Sequence, residues 1–124
     1  MSESTYTHQQ FTNCIKYQIK KIIECGSRDC LDAIIMNEYY KPEIIYSFEC
    51  NPESILVCEK NIISYENIKL IKKAVSNNNG IIDFYATDMD KSNDKNIGAS
   101  SALFHRDNKE NYIQKKILVL TQKK

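Results

Sequence analysis

Glycine is scarce in this sequence: three residues in 124, about a third of the roughly 7% usual in proteins. Each of the three is therefore expected where a tight turn or a close backbone approach demands it. Long apolar runs are missing too. None nears the roughly 18 to 20 residues that a membrane-crossing helix needs, which excludes a span of that kind. Charge of one sign is equally absent: seventeen Lys and Arg stand against sixteen Asp and Glu, for a net charge of +1. Such a balance offers no bulk attraction to nucleic acid or to an anionic lipid surface. The first ten residues lack the charged-then-apolar pattern of a secretory leader, so a cytoplasmic setting with reduced thiols is expected. The five cysteines, Cys14, Cys25, Cys30, Cys50 and Cys58, include no C-x-x-C pair, and His8 and His105 lie far from any cysteine pair. That spacing supports neither a structural zinc site nor a base-activated thiol.

What is present suits one domain with one core. From Tyr6 to Ile22 the apolar residues Phe11, Cys14, Ile15, Ile19 and Ile22 recur every three or four positions, predicting an amphipathic helix that runs toward the first strand. Residues 20–25 (KKIIEC) predict that strand, Gly26-Ser27-Arg28-Asp29 a turn, and 31–40 a helix stopped by Pro42. Residues 44–48 (IIYSF) read as a buried strand, and Pro52 opens a second helix reaching about Tyr65. A third strand is expected over 68–75, a turn over 76–80 and an alternating strand over 81–86. A polar, mobile loop over 87–96 and a last strand over 113–120 complete the pattern. Strands spaced by helices in this way predict parallel β-α-β units with right-handed crossovers, an α/β fold.

A strand ending at a glycine turn, followed about 20 residues later by a strand ending in an acid, is how open α/β sheets hold nucleosides. The glycine lets the backbone approach the ligand, and the carboxylate accepts from ribose hydroxyls. Gly26 and Glu49 have this relation. The turn has a single glycine, so the three-glycine dinucleotide fingerprint is absent, and with it the support for a nicotinamide cofactor. A mononucleoside-type ligand such as S-adenosylmethionine fits better.

Four segments in order carry a family resemblance over residues 19–120. IIECGSRDC resembles motif I of class I S-adenosylmethionine-dependent methyltransferases, and FECNPES resembles the segment that follows it in the FkbM family. NIKLIKKAVSNNNGIIDFY is similar to that family's third strand, its turn and the strand pair behind it, and NIGASSALFHR to its serine-containing loop. The resemblance implies a Rossmann-like sheet, present as its N-terminal half: a helical segment over 1–18, a cofactor-binding β-α-β-α-β unit over 19–75, and a strand pair, polar loop and last strand over 76–124. It implies S-adenosylmethionine as cofactor and methyl transfer to a hydroxyl of a sugar or other small acceptor. By position, Glu24, Gly26, Ser27 and Asp29 would surround the methionine part of the cofactor. Glu49 would hold the ribose, Asn51, Lys73 and Ala74 would border the adenine, and Ser100 and Ser101 would lie in a loop near the acceptor. No residue is marked as catalytic.

Plainer roles stay open for several of these. Glu49 also reads as a solvated acid before a turn, Asp29 as a helix cap or first-turn acid, Ser100 and Ser101 as a polar loop, and His105 with Arg106 as an exposed charged cluster. The sequence also departs from the family. The acidic D-V-E-G-x-E type segment of the fourth strand does not occur, and KKILVLTQKK matches only the strand before it. A C-terminally truncated methyltransferase is thus one expectation. The other is a non-catalytic remnant or accessory subunit, pairing with a second copy or a complementing chain through an open sheet edge.

Overall fold

The computed structural model describes residues 4–87, 100–101 and 112–121, with side chains described for 4–84. The long helix expected from Tyr6 to Ile22 is not formed. A 3-10 turn over Thr5–Thr7 leads into a single helical turn, α1 (Gln9–Thr12), and no helix or strand follows before Lys21. Ser4 caps the 3-10 turn and is buried there. Tyr6 and Phe11 meet edge to face at 5.4 Å, and the Tyr40 hydroxyl donates to the Tyr6 carbonyl. This anchoring directs the segment onto its neighbours rather than along a continuous helix axis, so helical spacing alone misreads it.

The next five elements follow the sequence closely. They are β1 (Lys21–Cys25), α2 (Leu31–Tyr40), β2 (Ile44–Phe48), α3 (Pro52–Asn61) and β3 (Ile68–Ile71). Helix α2 stops because Lys41 turns left-handed at φ 50° and Pro42 follows. Helix α3 starts with Pro52 in its first turn and Asn51 as its cap, whose Oδ1 accepts from the Glu53 amide at 3.2 Å. It ends at Asn61, short of the expected Tyr65.

The three strands pair in parallel in the order β1-β2-β3. Since neighbours in register share a face, Ile22, Ile45 and Ile68 point one way. They enclose the main core with Cys30, Ala33 and Met36 of the α2 region and Cys58 and Ile62 of the α3 region. The opposite face carries Ile23, Tyr46 and Lys69 in one row, and Ile23 is 57% exposed.

The strand expected over 68–75 is two strands. β2 ends at Phe48, opposite Ile71, so the ladder has no further partner. A three-residue turn closed by the Lys73 amide on the Ile71 carbonyl, at 2.9 Å, then redirects the chain. β4 (Ala74–Ser76) joins a second sheet with β5 (Gly80–Thr87), β6 (Ser100–Ser101) and β7 (Tyr112–Thr121), in the order β4-β7-β5-β6. β5 is antiparallel to both β7 and β6, whereas β4 runs parallel to β7. Phe84 is buried against Cys50, Ala74 and Ile82, which ties this sheet to the end of β2. Residues 88–96 of the predicted polar loop, Gly98, His105 and Arg106 lie outside the described residues.

Candidate functional site

The site forms where β1 and β2 end. Gly26 follows β1 at φ 83°, a conformation that favours glycine. Its amide and that of Ser27 both donate to the Phe48 carbonyl, at 2.9 and 3.0 Å. The Ser27 hydroxyl reaches the same oxygen at 3.3 Å. Arg28 and Cys30 also have positive φ, 55° and 62°, which is costly for residues with a Cβ. The turn is held in this path from β2.

Glu49 supplies much of that hold. It is buried, and its Oε1 accepts the Arg28 amide at 2.6 Å while Oε2 accepts the Cys50 and Asn51 amides, each at 3.0 Å. A carboxylate has about four lone-pair sites. One therefore stays available to a ligand, while a clasp on two ribose hydroxyls would require a backbone bond to open.

Two cavities flank the turn, and Cys25 and Gly26 line both. The first, about 280 Å³, is bounded by Phe48, Glu49, Cys50, Lys73, Ala74 and Val75. It brings together Gly26, Glu49, Lys73 and Ala74, four residues chosen from the sequence, at the C-terminal edge of the parallel sheet. Cys50 faces it with a thiol pushed up to about 11 by burial and the neighbouring Glu49, so it is no thiolate nucleophile at neutral pH. The second cavity, also about 280 Å³, lies beside β1 and is lined by Glu24 and Asp32 among others.

Glu24 stands opposite Ser47 on β2. Burial pushes its carboxyl above the usual range; the Ser27 and Ser47 hydroxyls offset part of this, and Asp32 and Asp29 add to it. Glu24 Oε1 and Ser47 Oγ are nonetheless buried without a hydrogen-bond partner.

Among the residues with described side chains, Ser27, Asp29 and Asn51 line neither cavity. Ser27 is buried on Phe48. Asp29 Oδ1 accepts the Leu31 amide at 3.1 Å, and its carboxylate meets Arg28 at 3.4 Å. Asn51 is buried as the α3 cap. Ser100 and Ser101 pair with Ala86 and Tyr85 in the second sheet. Sequence reasoning passed over Phe48, Cys50 and Val75 as lining residues, although the first two flank the chosen acid. It also missed Tyr6, Phe11 and Asp32 at the second cavity. Nothing in the spacing of Tyr6 and Phe11 distinguishes a cavity wall from a helix face.

Among the described residues no three His, Cys, Asp or Glu side chains gather to hold a metal, and no helix is long and apolar enough to cross a membrane. No protein-family model matches the chain, and no curated protein is significantly similar to it.

Proposed function

We propose that this chain carries the cofactor-binding part of a Rossmann-like, FkbM-type S-adenosylmethionine-dependent methyltransferase acting on a hydroxyl of a small acceptor. One observation carries the reading: the cavity at the C-terminal edge of the parallel sheet, where open α/β folds bind ligands, is lined by Gly26, Glu49, Lys73 and Ala74. Each cavity, at about 280 Å³, falls just below the roughly 300 to 1,000 Å³ of ligand sites. Cys25 and Gly26 stand between the two, lining both.

The residues present fit such a cofactor. Phe48, Ala74 and Val75 offer apolar walls to a base, and Glu49 retains one acceptor site for a ribose hydroxyl. The turn amides are spent on Phe48 and Glu49, which leaves no phosphate cradle and favours a ligand without a pyrophosphate. The bound cofactor supplies an activated methyl group on sulfur. The protein's task is positioning, since in-line transfer depends on distance and alignment. Calorimetric titration with S-adenosylhomocysteine tests the reading. Saturable binding is expected, weakened about tenfold by loss of a ribose hydroxyl, the worth of one hydrogen bond to a charged acceptor; no heat at millimolar ligand overturns it.

A second reading, an accessory chain with a protein partner, is favoured by the face carrying the exposed Ile23. Parallel sheets are usually covered on both faces, and α2 and α3 cover only one. Light scattering that shows a clean monomer would exclude a homodimer.

A further inference from the structure

We propose that Cys30 and Cys58 form a redox-sensitive dithiol whose oxidation to a disulfide resets the turn over 26–30. Cys30 caps the start of α2 and Cys58 belongs to α3, and both are fully buried in one core cluster. Neither is in a disulfide. Contact with the Cys30 thiol, and then burial, push the Cys58 thiol far above its ordinary range.

The Cys58 thiol also does structural work. It donates to the Arg28 carbonyl at 3.3 Å, and Asn61, from the same helix, donates to the Asp29 carbonyl at 2.9 Å. The Cys30 amide donates to the Ser27 carbonyl at 2.8 Å. These bonds hold a turn in which Arg28 and Cys30 have positive φ, a conformation that persists only where its surroundings enforce it. A disulfide sulfur has no proton to give. Oxidation therefore withdraws the donor that Cys58 supplies and ties Cys30 to α3. Gly26 lines both cavities, so the change reaches them whether or not the cofactor reading holds.

The chemistry is thiol–disulfide exchange with a small disulfide such as oxidised glutathione. Buried sulfurs that keep their protons wait for local opening, and the strained turn is the segment poised to open. Cys30, beside Leu31, which is 47% exposed, emerges first and loses its proton to water. Its thiolate attacks one glutathione sulfur, breaking that disulfide and expelling a glutathione thiolate. Cys58, deprotonated in turn, attacks the Cys30 sulfur of the mixed disulfide and expels the second. The two leaving thiolates take up the two protons, and the two electrons pass from the cysteine pair to glutathione.

The test incubates the intact, reduced chain in glutathione buffers of graded oxidised-to-reduced ratio until nothing further changes. Free thiols are then blocked with N-ethylmaleimide and the peptides mapped by mass spectrometry. A Cys30–Cys58 cross-link is expected, formed with oxidised glutathione and removed by reduced glutathione, the behaviour of a labile rather than a structural disulfide. NMR of a Cys25→Ser chain, relieved of the exposed thiol beside the turn, should show the amides of residues 26–31 shifting as the cross-link forms. Adding Cys58→Ser keeps a hydroxyl donor for the Arg28 carbonyl but forbids the bond, so those shifts should vanish; Cys30→Ala gives the same control if the serine variant fails to fold. Free Cys30 and Cys58 at every ratio, a cross-link to another cysteine instead, a cross-link without turn shifts, or turn shifts that persist in the control overturns the proposal.

Discussion

Two carboxylates sit at the ends of neighbouring strands, Glu24 near the close of β1 and Glu49 just after β2, and their surroundings are opposite. Glu49 accepts three backbone amides. Glu24 has an oxygen with no partner. The first is part of the architecture, because it braces a turn that puts Arg28 and Cys30 into a left-handed conformation. The second is held by the strand, and the Ser27 and Ser47 hydroxyls offset only part of the cost of burying it. An acid at a strand end is thus no indicator of ligand binding until its acceptor sites are counted.

The largest test of this contrast is stability. Glu49→Ala strands buried amides and should cost about 3 kcal/mol in urea unfolding, given charge-assisted bonds and the desolvation of what is left behind. Glu24→Gln should cost nothing, or stabilise, at neutral pH. Equal losses would break the comparison. The same result cautions against Glu49→Ala as a probe of ribose contact, since the substitution also releases the turn; a ligand lacking one hydroxyl is the cleaner probe.

Next in size is the Asn51 cap. Asn51→Ala should lose about 1 kcal/mol, the usual worth of an N-cap, with the proposed cofactor site unaltered, because Asn51 does not line it. A selective loss of ligand affinity would return Asn51 to the site.

A smaller effect concerns pH. Burial raises the Glu24 pKa above the ordinary 4.5, so the folded protein holds this proton more tightly than the unfolded chain. The contribution is complete below pH 4.5 and falls as pH rises through Glu24's own higher pKa. Subtracting the Glu24→Gln unfolding profile should expose that decline, whereas a rise with pH would contradict the assignment.

The smallest effect is on thiols. Cys14 and Cys25 are exposed, and Cys30 and Cys58 are buried. S-adenosylhomocysteine should slow modification of Cys25, which lines both cavities, and leave Cys14 unchanged; mass spectrometry of each site reads this directly.

The parallel unit was legible because its signals are local. Pro42, Pro52, the β-branched run 44–48 and the glycine turn each mark a boundary that backbone chemistry enforces. Gly26, Glu49, Lys73 and Ala74 come together because the parallel order carries successive strand ends to one edge. The rest depended on contacts distant in sequence. The N-terminal helix yielded to anchoring on Tyr40, thirty-four positions beyond Tyr6. The third strand divided because its partner ends at Phe48, which no property of residues 68–75 records. Asp29 and Asn51 were visible as polar residues beside the turns, but only the hydrogen bonds show that their side chains are committed to the helix starts.

The most direct measurement is an amide chemical-shift map of S-adenosylhomocysteine binding to the whole chain. The account predicts saturable shifts centred on Gly26, Glu49, Lys73 and Ala74 at the C-terminal edge of the parallel sheet. Shifts centred on the opposite edge, near Lys21 and Ile44, or no shifts at millimolar ligand, would contradict it.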